Sequence, residues 1–65
     1  MEPKDIFDLI VKADERLKYA TSDKADLRVQ QAREFLEKAL AEARAIGSDD
    51  LVAQVEWRLA DLEQL

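Results

Sequence analysis

The sequence predicts an all-α fold, a three-helix bundle in which an antiparallel hairpin of the second and third helices is completed by an N-terminal helix. Three observations carry that expectation. Apolar residues recur at steps of three and four along the chain, the period of a helix face. One glycine and one proline in 65 residues leave few interruptions. Two clusters of capping residues, TSD at 21–23 and GSDD at 47–50, fall where the pattern breaks and divide the chain into three segments.

The first segment opens at Pro3, whose missing N–H costs nothing in a first helical turn, with Glu2 and Asp5 complementing the positive end of the helix dipole. Ile6, Leu9, Ile10, Ala13, Leu17 and Ala20 then form one apolar stripe, and Phe7 lies beside it. Thr21, Ser22 and Asp23 supply three successive candidate N-caps, so this helix is expected to end before them.

The second segment places Ala25, Val29, Ala32, Leu36, Ala39, Ala43 and Ile46 at alternating steps of four and three, with Phe35 and Leu40 widening the seam on either side. Four of those seven are alanine, so a neighbouring backbone can approach closely. A tight helical hairpin follows more naturally than a long two-stranded coil. Gly47 stands where a helix C-cap requires a left-handed residue, and Ser48 or Asp49 can accept the free N–H groups of the next helix. The third segment presents Leu51, Val52, Val55, Leu59 and Leu62 on one face, with Leu65 at its edge, and is expected to reach the C-terminus.

Trp57 does not belong to that face. At ~100° per residue it lies roughly 200° around from Val55, beside Ala53 and Ala60, which makes the third helix apolar on two sides. Either Trp57 packs on the first helix, as a bundle helix touching two neighbours would allow, or it is left over for a partner. Leu27 likewise falls on the outer face of its own helix. Trp57, Ala53, Ala60 and Leu27 are therefore the candidate interaction residues.

Size and charge set the limits of function. The 65 residues form a single expected domain, and a chain this short buries only ~60% of its unfolded surface, so its core is thin. The sequence has no Cys and no His, which removes disulfides, thiolate zinc sites and imidazole ligation together. Self-association or closely idealised helix packing remains as a source of stability. Fifteen acidic against ten basic residues give a net charge of −5, which repels phosphate backbones, and the basic residues never form a run. Nucleic acid is therefore not an expected partner. No apolar stretch approaches the ~20 residues of a membrane span, and MEPKDIFD is too acidic to open a signal peptide; a soluble, cytoplasmic protein is expected.

Chemistry has little to stand on. Asp14 and Glu15 are adjacent on a helix and diverge, Asp49 and Asp50 suit a first helical turn, and Asp5 and Asp8 share a face with Lys12. Asp14 with Lys18 and Glu34 with Lys38 repeat this spacing of solvated helix surfaces. SDKADLRVQQAR, residues 22 to 33, lacks the central glycine and terminal glutamate of a calcium loop. Ser22 and Ser48 precede helices and read as caps. No catalytic residue, metal or cofactor is expected, and the chain is not expected to be an enzyme.

Residues 31 to 62 carry a resemblance. Ala32, Leu36 and Ala39 fit the A-x3-F-x2-A pattern with Leu in the aromatic place. The helix from Ala39 ends in Ile46–Gly47, and the next carries Leu59 and Ala60 in tandem. This half of the chain resembles a tetratricopeptide-repeat hairpin. The resemblance implies peptide or protein binding without catalysis. The expected function is thus a protein–protein interaction or self-associating module, with a homodimer as one expected form. The alternative is an acidic regulator, of antitoxin or nucleic-acid-mimic type, masking a basic partner surface; it requires carboxylates gathered on one face.

Overall fold

The structure is a computed structural model that describes residues 1–20 and 25–64. It contains α1 (Pro3–Lys18), α2 (Ala25–Ala45) and α3 (Asp49–Leu62), packed as a three-helix bundle. The expected caps Thr21, Ser22 and Asp23, and the edge residue Leu65, lie outside the described residues.

Each described helix end has a local cause. Glu2 is the N-cap of α1, and its backbone N–H donates to Asp5 Oδ2 at 3.2 Å, with Pro3 in the first position. At the far end of α2, Gly47 adopts φ +69°, its N–H donates to the Arg44 carbonyl at 3.1 Å, and the Ser48 N–H reaches back to the Ala43 carbonyl at 3.0 Å. Those two bonds are a Schellman closure, which satisfies carbonyls that the helix end would otherwise leave unpaired. Ser48 then serves the next helix. Its Oγ accepts from the Leu51 N–H at 3.4 Å, so a single residue closes α2 and opens α3.

The core is a layer of small and branched side chains from all three helices. Ile6, Leu9, Ile10 and Ala13 of α1 meet Ala32, Leu36, Ala39 and Ala43 of α2, and Leu51, Val55 and Leu62 of α3 complete the cluster. Leu17, Val29, Phe35, Leu40, Val52 and Leu59 pack around its margin. Two expectations are corrected. Ile46 is 40% exposed, because it occupies the residue just before the left-handed Gly47, where the chain has already turned off the seam. The third helix stops at Leu62, where the Glu63 N–H bonds to the Leu59 and Ala60 carbonyls, and does not run to the C-terminus.

Topology follows from which ends meet. The end of α1, the start of α2 and the end of α3 surround one cleft, and the start of α1 lies beside Glu42 near the end of α2. Hence α2 runs antiparallel to both neighbours, while α1 and α3 run parallel. The two outer helices pack closely on α2 and only sparsely on each other. The Cα atoms span 37 × 20 × 13 Å. Three helices in an even triangle at the usual spacing would measure ~13 to 14 Å in both short directions, so the 20 Å width records the splay of α1 from α3.

Candidate interaction surface

This splay decides where Trp57 lies. The buried residues of α3 face α2, and α1 does not reach around to the other side. Trp57 is consequently 69% exposed, which overturns the alternative in which it packs on the first helix. Ala53, one turn before it, and Ala60, three residues after, are also exposed. On a helix these positions are neighbours of Trp57, so the indole stands on a low, smooth apolar floor.

Leu27 is 51% exposed but is not part of this surface. The inner face of α2 is defined by Ala32, Leu36, Ala39 and Ala43, and Leu27 lies roughly opposite Leu36 by the helical period, pointing away from α1 and α3. Trp57 points away from α2. The structure thus brings three of the four candidate residues together and leaves Leu27 on the reverse side of the molecule.

Electrostatics separate α3 from the rest of the chain. Between Asp49 and Gln64 stand five carboxylates, Asp49, Asp50, Glu56, Asp61 and Glu63, against the single base Arg58; four of the five net negative charges of the protein lie here. Arg58 is committed elsewhere. Its Nε donates to both oxygens of Asp14 on α1, at 3.1 and 3.2 Å, and its Nη1 donates to the Gln54 carbonyl at 3.2 Å. Glu56 accepts from Arg44 Nη2 at 3.4 Å on the side toward α2. Among the described residues these are the ion pairs, and both tie α3 to its neighbours. The same-face spacings of Asp5 and Asp8 with Lys12, Asp14 with Lys18 and Glu34 with Lys38 form no direct pair.

Sequence patterns did not point to the cleft where α1 and α3 finish and α2 begins. Leu17, Ala20, Ala25, Val29 and Leu62 form its apolar wall, and Asp26, Gln30, Arg33 and Asp61 its polar rim, around about 710 Å³. Ala20 and Ala25 are the only available signal, since two small residues at facing helix ends leave space that larger side chains would fill. Among the described residues, no group of three or more acidic side chains is placed to hold a metal ion, and no helix is long and apolar enough to cross a membrane. Compared with protein-family models, curated proteins and solved structures, the chain gives no match.

Proposed function

We propose that this protein is a non-catalytic interaction module that docks, on itself or on another protein, through the outer face of α3. The observation that carries this reading is the exposure of Trp57 on a regular helix, flanked by Ala53 and Ala60. Covering an exposed tryptophan removes on the order of 150 Å² from water, and at ~25 cal/mol per Å² that contributes about 4 kcal/mol before the costs of association. Among the described residues no other exposed side chain offers as much. Indole anchors are enriched among the residues that dominate interface energy. The resemblance of residues 31–62 to a tetratricopeptide hairpin points the same way.

The second reading, an acidic regulator that masks a basic surface, draws support from the concentration of charge in α3. The two readings share a docking face and differ in what covers it. Sedimentation over a wide concentration range, followed through Trp57 emission, tests the face itself. Burial of the indole on association, lost in Trp57→Ala while the circular dichroism stays helical, is the expected result. Association that proceeds unchanged in Trp57→Ala would remove α3 as the docking element.

A further inference from the structure

Given that docking face, its charge identifies what it fits. We propose that the outer face of α3 receives a cationic amphipathic segment of a partner protein, one that sets Arg or Lys side chains beside apolar ones, and not a second copy of this chain. Asp61 lies one turn beyond Trp57 and Asp50 two turns before it, within roughly 40° of it around the helix. Both are exposed, and neither is in an ion pair among the described residues. The only base of the helix, Arg58, is turned toward α1 and held there by Asp14, and Arg33 of α2, which shares the cleft rim with Asp61, forms no ion pair with it, so the helix face itself presents an indole and carboxylates without a base of its own.

That combination selects for positive charge. A guanidinium or ammonium over the indole is attracted by the ring quadrupole, most strongly for tryptophan among the aromatic side chains, and Asp61 is within a helical turn to pair with the same group. The Ala53 and Ala60 floor admits the apolar part of the segment. A second copy would bring the same helix against itself. In an antiparallel pairing Asp50 would face Asp61 of the other copy, and in a parallel one like residues would meet, so either arrangement sets carboxylates together at the rim of a small contact. Like charges so juxtaposed disfavour the complex.

The test uses the intact protein, whose single tryptophan makes the emission an unambiguous reporter. A synthetic amphipathic Lys/Leu peptide of about 16 residues is titrated in, with a Glu/Leu peptide of the same pattern as the control. The Lys/Leu peptide is expected to shift Trp57 emission and to weaken with added salt, and Asp50→Asn with Asp61→Asn is expected to weaken it about tenfold or more. Glu34→Gln with Glu37→Gln, which removes the same charge from the outer face of α2, is expected to leave it within about twofold. Equal loss in both double variants, or equal binding of the Glu/Leu peptide, would overturn the proposal. Should the peptide leave Trp57 unaffected while sedimentation shows a dimer that Trp57→Ala dissolves, the docking face stands and the cationic partner falls. If neither peptide nor second copy engages Trp57, both readings fall together.

Discussion

Gly47 and Trp57 are the two residues whose side chains, or lack of one, set the behaviour of the hairpin and of the surface. A Cβ built at Gly47 would meet nothing within 4 Å, so the cost of Gly47→Ala is confined to the backbone held at φ +69°. A left-handed alanine costs roughly 1 to 2 kcal/mol, and a urea titration should show that loss in the midpoint with an unchanged slope. Ala39 presents the opposite case, since it is fully buried in the seam. Ala39→Leu is expected to destabilise by ~1 to 3 kcal/mol through overpacking, whereas Trp57→Ala, at a mostly exposed position outside the core cluster, should leave unfolding within about 0.5 kcal/mol. Thermal melts of the two variants side by side separate a packing residue from a docking residue.

Each helix can be assessed by how it is held. Among the described residues the ion pair linking α1 to α3 is Asp14–Arg58, partly in solvent, and a double-mutant cycle on it should return less than about 1 kcal/mol, falling as salt is raised. Because α2 packs on both neighbours, its amides from Ala32 to Ala43 should be the slowest to exchange with deuterium. Faster exchange at the centre of α2 than at the centre of α1 would contradict that order. The helices themselves were legible from the apolar period, and the α2–α3 joint from Gly47 and Ser48, because those features act within a few residues. The ion pairs were not, since Arg58 and Asp14 are 44 positions apart and a rule of four sees only along one helix. Ile46 fitted the period and still left the core, because the turn it precedes overrides a face that extends only one residue further.

For the molecule as a whole, the candidate site was partly legible. Period placed Trp57, Ala53 and Ala60 on one outer face, but a period tells which side of a helix is apolar and not whether a neighbour reaches that side. That depended on the splay of α1 from α3, a property of how all three helices settle on the alanine seam. The same limit explains Leu27, grouped with Trp57 because each falls on the outer face of its own helix although the two point in opposite directions. The cleft is not legible in the sequence because its walls, Leu17, Val29 and Leu62, read as ordinary core positions.

Since α1 and α3 each lean on α2 and only sparsely on one another, the bundle has a keystone and two wings, joined across by the Asp14–Arg58 pair. Apart from Arg58, which Asp14 holds, substitutions that retune what α3 offers to the outside need no matching adjustment in α1, so the binding specificity of such a protein can drift over generations while its architecture stays put.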